Sequence, residues 1–395
     1  MFTAQTMDGK KYSLVDPWPK NELENLRNNE QLYCTICKQP VQMKLGEQRL
    51  WHFAHLPNSN CKLKLENETE YHMHGKQKLY HWLKDQDLKV EIERYFPKLQ
   101  QRPDLFVEIS DIKYAIEYQC ASISSSQLIS RTLSYKRENI FPVWILGGKR
   151  FKRNSESIQR PTTFDLLMTY QSQNANHLLL YFCPLTNKFA LSSSLNSFSS
   201  NTFVANTSFL SPNQLTFSTM LNFHNHTNPN MNISWLKLKT GWRAAGYRFT
   251  EGFWKEWFYN QGSLLPLLPS EVGIPVSEMI WINTNVMIWQ GWILLKYISP
   301  LRIGEFLTFR QVYDGFNAFK NAKKFTIRQL PGINNSHYSF AIMNYLQQLV
   351  YLGILRNTNN LTEFEKVKEV AFPKNMNNAC EMDKLVLNKR NYFGK

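Results

Sequence analysis

The tightest constraint on the fold of this chain lies between residues 66 and 148, where the hydrophobic period switches from helical to strand-like and back. A polar stretch with helical spacing, ENETEYHMHGKQKLYHWLKDQ, leads into the alternating runs LKVEIERYF, DLFVEI and KYAIEYQ. A second helical stretch, SSSQLISRTLSYKREN, follows, and the apolar run FPVWIL closes the segment at Gly147-Gly148. Helix, three strands, helix, strand is a compact α/β order, in which helices bury the faces of a sheet. Ser110, Asp111 and Ile112 separate the runs DLFVEI and KYAIEYQ, and Ser110-Asp111 is the length of a tight hairpin loop. With those two residues in the loop, paired positions sum to 221, so Ile109 faces Ile112 and Asp104 falls opposite Glu117.

Strand side chains alternate between faces, so Glu117 and Gln119 share one side, while Leu105, Val107, Ile109, Ile116 and Tyr118 form the apolar side. Two carboxylates within about 5 Å repel each other unless a cation sits between them. A hard, oxygen-liganded ion such as Mg²⁺ or Mn²⁺ suits Asp104 and Glu117. On the first helical stretch Glu68, His72 and Lys76 recur every four residues, as do Glu70 and His74. A helix there lines up an acid, an imidazole and an amine, although a solvated helix face held by ion pairs has the same pattern.

A second cluster precedes this segment. Cys34-Thr-Ile-Cys37 is followed, after fourteen residues, by His52-Phe-Ala-His55 and then by Cys61. Zinc takes four nitrogen or sulfur ligands tetrahedrally, and a two-residue gap lets paired cysteines grip one ion. Cys34, Cys37, Cys61 and His55 are the expected set, with His52 as the substitute, because on a strand the two histidines face opposite ways. Four protein ligands close the coordination sphere, so such a zinc is structural. Six cysteines in 395 residues are too few for a disulfide scaffold and fit a reducing cytoplasm.

Three regions separate by texture: a small turn-rich module over 1–65, the α/β segment over 66–150, and a mixed, mostly helix-like region over 151–395. In the last, LLLYFCPL and KFALSS read as strands, whereas SSSLNSFSSNTF and FHNHTNPNMN read as polar loops. The N-terminus has no apolar core of signal-peptide length. Ile280 to Ile298 is interrupted by Asn283, Asn285, Gln290 and Lys296, which points to a buried helix and no membrane span. Lys plus Arg number 46 against 31 acids, a net charge of +15, and aromatics make up 14%. That balance favours nucleic acid or an anionic surface as partner, and single-stranded nucleic acid in particular is held by cations for its phosphates and rings for its bases. Arg131 and Tyr135, one helical turn apart, are placed either to reach a phosphate or to cap the core. The run Lys149, Arg150, Lys152 and Arg153 either lines the groove to the metal as phosphate contacts or is a solvated linker, with Lys320, Lys323 and Lys324 as a second basic run.

The order WHFAH, Cys61, Glu68-x-Glu70-x-His72-x-x-x-Lys76, Arg102-Pro103-Asp104, AIEYQ, Arg131-x-x-x-Tyr135 and VWIL resembles the competence protein CoiA family, whose core belongs to the PD-(D/E)xK nuclease superfamily. The resemblance is specific over roughly residues 30 to 148 and softer beyond. It implies a restriction-endonuclease-like core, an N-terminal zinc-finger-like module and a mostly helical C-terminal region. It also implies that Asp104 and Glu117 are metal-binding acids, with Glu68 or Glu70 the acid from the first helix. Gln119 stands where the superfamily has lysine, so Lys76 or His72 is the expected source of the missing charge or proton transfer. The function implied is a competence-associated DNA-processing protein, a Mg²⁺- or Mn²⁺-dependent deoxyribonuclease acting on incoming single-stranded DNA in natural transformation. The other reading is a degenerate nuclease fold that binds single-stranded DNA and assists recombinase loading.

Overall fold

The computed structural model describes residues 1–395 apart from 58, 60, 62–67, 173–176, 224–229, 335 and 390–395. The N-terminal module is an antiparallel sheet in the order β2-β1-β3-β4-β5. Its strands are β1 (Thr3–Gln5), β2 (Lys11–Ser13), β3 (Leu32–Tyr33), β4 (Pro40–Lys44) and β5 (His52–His55), and helix α1 (Lys20–Asn29) lies between β2 and β3. Its apolar side, including Phe2, Ala4, Val41 and Phe53, joins the core of the following domain and does not form a separate one.

That domain begins with α2 (Glu70–Lys84), β6 (Lys89–Ile92), β7 (Leu105–Ile109), β8 (Ile112–Gln119), α3 (Ser125–Arg137) and β9 (Ile140–Gly147), the order read from the sequence. The β7/β8 register is also the one read there: Leu105 pairs with Ile116 and Ile109 with Ile112, which sets Asp104 opposite Glu117. Ser110 and Asp111 both take positive φ, 47° and 65°, as a two-residue primed turn requires. Thr69 caps α2 by accepting from His72 N, and Ser124 and Gln127 form a reciprocal capping box on α3.

The sheet does not stop at residue 150. β12 (His177–Cys183) pairs in parallel with β9, and β13 (Lys188–Ser197) and β14 (Phe203–Leu210) extend it. Short strands β10 (Ile158–Gln159) and β11 (Tyr170–Gln171), with helix α4 (Thr163–Leu166) between them, complete a nine-stranded sheet among the described residues. Thus SSSLNS is strand and not loop. Its Ser192, Ser193 and Ser197 are buried, and a register shift between Ser193 and Asn196, with Ser194 at φ 51°, hides the alternation. Of the segment FHNHTNPNMN, residues 224–229 lie outside the described residues.

Helices cover both faces of this sheet. Leu79, Trp82 and Leu83 of α2 pack on Leu105, Val107, Ile116 and Val143. Leu128 of α3 packs on Trp144 and Leu146, and Tyr135 on Phe106 and Ala115. Gly75 lets α2 approach closely, since a Cβ there would lie 2.0 Å from the Tyr118 ring. The side of β8 that carries Glu117 and Gln119 is therefore covered by α3, and the acid is buried there instead of facing solvent.

The remainder is helical, built from α5 (Phe217–Leu221), α6 (Asn230–Ala244), α7 (Gly252–Asn260), α8 (Val286–Ile293), α9 (Phe309–Asn321), α10 (Tyr338–Tyr351) and α11 (Met376–Asn388). A small antiparallel sheet of β15 (Phe306–Thr308), β16 (Leu355–Asn357) and β17 (Glu363–Lys366) has β17 in the centre. Ile280 to Ile298 runs through a 3₁₀ turn, α8 and a π-helical turn and is largely buried, as its interrupted polarity implied. Among the described residues no helix is long and apolar enough to cross a membrane.

Candidate functional site

The start of α2, the β7/β8 pair and α3 meet at a cavity of about 1040 Å³ lined by Glu68, His72, Arg102, Asp104, Glu117, Gln119, Arg131, Lys149 and Arg150, among others. Asp104 sits just before β7, where its Oδ2 accepts the Tyr118 N–H at 2.9 Å, so the neighbouring strand fixes the carboxylate. His72 Nε2 lies 3.3 Å from Asp104 Oδ1 and 3.9 Å from Glu68 Oε1. One ligand atom from each of Glu68, His72 and Asp104 lies within 4.8 Å of the others. A divalent ion with bonds of about 2.1–2.2 Å separates adjacent ligand atoms by roughly 3 Å, so the spacing of this trio suits one, with the His72 proton released as its imidazole becomes a ligand.

Lys76 backs the trio. Its ammonium is fully buried, 2.6 Å from Glu68 Oε1, 2.7 Å from Glu93 Oε1 and 3.5 Å from Asp104 Oδ1. Burial works against that charge, but Glu93 and Glu68 outweigh it and hold the amine above its ordinary value. Burial also opposes the Asp104 carboxylate, yet His72 and Lys76 hold it well below the usual range. His72 is pushed up to about 10: desolvation disfavours the imidazolium, and the adjacent Asp104 more than compensates.

Glu117 lies one step away and is differently engaged. It is buried and pairs with Arg131, and it accepts from Tyr135 Oη at 2.6 Å. Burial pushes its carboxyl up, and Arg131 offsets only part of that. The convergent metal-type group is thus Glu68, His72 and Asp104, whereas the expected pair was Asp104 and Glu117. Glu70 is 55% exposed at the start of α2, 3.5 Å from Arg49, and does not line the cavity, which leaves Glu68 as the acid from this segment. Glu68 itself precedes the cap Thr69, so it reaches the site from the chain entering the helix. The Gln119 amide donates to Ala121 O at 2.6 Å.

The basic residues divide. Tyr135 is fully buried against Glu117 and has no route to a phosphate in this arrangement. Arg131 remains 31% exposed on the cavity wall. Arg150 also lines the wall, but its guanidinium is committed to the buried Asp165 at 2.6 Å. Lys149 is exposed at the rim, 4.6 Å from the centre of the Tyr71 ring. Lys152 and Arg153 are exposed outside the cavity lining, Arg153 over Phe209.

In the N-terminal module, the β3/β4 hairpin bends through Cys34 and Cys37, with Lys38 at φ 58°. Cys34, Cys37, His55 and Cys61 bring their ligand atoms within 4.8 Å of one another, and Cys37 Sγ lies 3.4 Å from His55 Nε2. Tetrahedral zinc with bonds of about 2.0–2.3 Å spaces its ligands by roughly 3.5 Å, so the donor set fits that ion in both chemistry and spacing. His52 points elsewhere, with Nδ1 2.8 Å from Leu50 O.

Three family models match in succession: Competence protein CoiA, N-terminal domain, over residues 15–64; its nuclease-like domain over 68–225; and its C-terminal domain over 231–380. Competence protein CoiA of Bacillus subtilis (strain 168) is 30% identical over 333 residues, 82% of this chain and 87% of that protein. The chain belongs to the competence protein CoiA family. No solved structure matches it. In the CoiA family frame the nuclease-like domain begins at Glu68 and runs to 225, so it takes in β10 to β14 along with the first strands of the large sheet.

One residue that holds the site together was not singled out from the sequence. Glu93, in the run LKVEIERYF, accepts from Phe2 N, Thr3 N and Thr3 Oγ1 and pairs with Lys76 and with Arg102 at 3.4 Å. It ties the N-terminal strand to the floor of the cavity. Its partners are 9, 17 and some 90 residues away, so no local spacing announces it.

Proposed function

We propose that this CoiA-family chain is a competence-associated, metal-dependent deoxyribonuclease that acts on incoming single-stranded DNA. The observation carrying this reading is the convergence of Glu68, His72 and Asp104 on the wall of a cavity that Arg131 and Lys149 also line. Glu68, His72 and Asp104 would hold a divalent cation, which supplies Lewis-acid chemistry on a phosphodiester. An imidazole in the set favours Mn²⁺ over Mg²⁺. Lys76 keeps Glu68 and Asp104 ionised and positioned, and Lys149 draws the strand to the rim. Arg131, partly exposed on the cavity wall beside Glu117, would offer a cation to a bound phosphate. The Cys34, Cys37, His55 and Cys61 set holds a structural zinc.

A non-catalytic reading, single-stranded DNA binding in support of a recombinase, draws on two facts. Gln119 carries no charge and its amide is tied to Ala121, and Lys76 is sealed behind the carboxylates. Incubation with labelled single- and double-stranded DNA in Mg²⁺, Mn²⁺ or EDTA separates the two. Cleavage stimulated most by Mn²⁺ and lost in Asp104→Ala supports the nuclease. Equal background in wild type, Gln119→Lys and Asp104→Ala with every metal hands the function to the binding reading. Metal analysis should return about one zinc per chain, falling close to none in Cys34→Ser, which should also be less stable because structural zinc contributes folding energy.

A further inference from the structure

A second cationic feature lies in the C-terminal domain, on different elements from the cavity. Beneath it runs a stack of buried rings: Phe316 and Phe325 lie 4.3 Å apart at 14°, Phe325 and Trp254 lie 5.0 Å apart at 22°, and Trp292 meets Phe325 edge-on at 5.1 Å. The cluster reaches the surface through half-buried Phe253 and Trp257 on α7, Phe319 on α9 and Tyr297 in the π-helical turn.

Ammonium groups sit directly over these rings. Lys324 Nζ is 3.8 Å from the Phe253 centroid, and Lys296 Nζ is 4.9 Å from Phe319 and 5.5 Å from Tyr297. Lys320 Nζ is 5.1 Å from Tyr338, and Lys323 is held exposed in a left-handed turn at φ 58°. Among the described residues none of these four lysines is ion-paired, and the nearby Asp314 is already taken by Arg310 at 2.8 Å. Lys296 and Lys324 over partly open ring faces, with Lys323 exposed beside them and Lys320 donating to Tyr338 Oη at 3.1 Å, all on a closely packed aromatic foundation, is a combination that solvation alone does not require.

We propose that this face, built from α7, the π-helical turn and the end of α9, is a second contact surface for single-stranded nucleic acid. The lysines meet phosphates and the rings receive bases. The chemistry decides for a single strand over other polyanions. Stacking contributes about 1–3 kcal/mol per base, and a lysine resting on a ring can swing to a phosphate as a base takes its place. An acidic protein segment would use the charges and leave the rings idle. This inference does not depend on cleavage at the cavity.

The test uses the full chain in EDTA with a fluorescent oligothymidine, read by anisotropy across a KCl series. In the variant Lys296→Ala, Lys320→Ala, Lys323→Ala, Lys324→Ala, affinity at low salt should fall at least tenfold. The slope of log affinity against log salt should shrink by about 0.7 for each phosphate no longer neutralised. Mn²⁺ binding, followed by calorimetry, should stay unchanged, which keeps this result separate from any failure at the cavity. A bromodeoxyuridine strand irradiated on the wild type should crosslink to the 253–257 or 297–319 peptides. Because the lysine variant also removes general charge, Trp257→Leu with Tyr297→Leu adds a charge-neutral arm. It should weaken oligothymidine more than an abasic strand of equal length. An unchanged slope, crosslinks confined to the cavity, or polyglutamate competing as well as oligothymidine at equal charge would each overturn the proposal.

Discussion

Two clusters of buried charge in this molecule use the same residue types to opposite ends. In the C-terminal domain Asp383 of α11 takes Arg243 Nε and Nη2 at 2.7 and 2.8 Å and Lys239 Nζ at 2.9 Å, all three side chains fully buried. Further donors are used as well: Arg243 Nη1 goes to Pro266 O and Leu268 O, and Lys239 to Ser270 O. Both carboxylate oxygens of Asp383 are taken, the set is fully buried, and it pins α6 to α11. Around the cavity, by contrast, Glu68, Glu93, Asp104 and Glu117 are shared among the N-terminal ammonium, Lys76, Arg102, Arg131 and His72, and the side chains of Glu68, His72 and Asp104 stay partly exposed where they line it. Burial and charge alone therefore do not mark a functional site. Residual bonding capacity that opens on a cavity does.

The largest effect should come from removing one charge on the open side. Asp104→Asn keeps the shape and an oxygen for the Tyr118 N–H, and Lys76 retains Glu68 and Glu93. Metal-dependent cleavage should fall more than about a thousandfold, roughly 4 kcal/mol of transition-state stabilisation. Urea unfolding should move by no more than ~2 kcal/mol, because no buried cation is stranded. A large stability loss with cleavage retained would reverse the assignment of the two clusters.

The mirror experiment is Asp383→Asn, which leaves Arg243 and Lys239 buried without a counter-ion. Removing one partner of a closed ionic set costs about 3–5 kcal/mol, and tryptophan fluorescence during urea unfolding of the C-terminal domain should show it. Mn²⁺ binding at the cavity should persist below the unfolding transition. The pH dependence has a definite sign. Burial alone would raise the Asp383 carboxyl, but Lys239 and Arg243 hold it below its ordinary value of 3.8. Its stabilisation is therefore present above about pH 4 and is lost as pH falls toward the lower folded-state value. Asp383→Asn should flatten that acid limb, and a variant with an unchanged acid limb would exclude Asp383 as its source.

What could be read in the sequence follows the same division. The β7/β8 register was legible because Ile109 and Ile112 flank a two-residue loop and every pair is then local. The cysteine knuckle was legible because Cys34 and Cys37 come from a hairpin, His55 from the strand beside it, and Cys61 from the chain shortly after that strand. Glu93 was not, since its role exists only once β1, α2 and the loop bearing Arg102 are packed around it. Nor was the engagement of Glu117 by Tyr135: the four-residue spacing from Arg131 fits a phosphate contact and a core-capping pair equally, and only the packing of α3 onto Phe106 and Ala115 decides for the core at Tyr135. The extension of the sheet to β12–β14 was obscured by the same physics as SSSLNS: buried serines and a bulge remove the hydrophobic alternation that identifies a strand.

The smallest effect is expected at the cavity rim, where it tests whether open bonding capacity extends to the substrate strand. Lys149 is exposed, lines the cavity and rests on Tyr71, so it has a free ammonium with a defined position. Lys149→Ala should weaken single-stranded DNA binding two- to fivefold, roughly 0.4–1 kcal/mol, and lower the salt slope by about 0.7, the value for one phosphate on a single strand. Arg150→Ala should act mainly on stability, because it abandons the buried carboxylate of Asp165. Lys152→Ala with Arg153→Ala should leave binding of a short oligonucleotide at the cavity unchanged, since neither side chain lines it. If the Lys152 and Arg153 pair governs the slope and Lys149 does not, the strand runs across the β14 side of the sheet, where Arg153 covers Phe209, and the cavity rim is only a solvated edge.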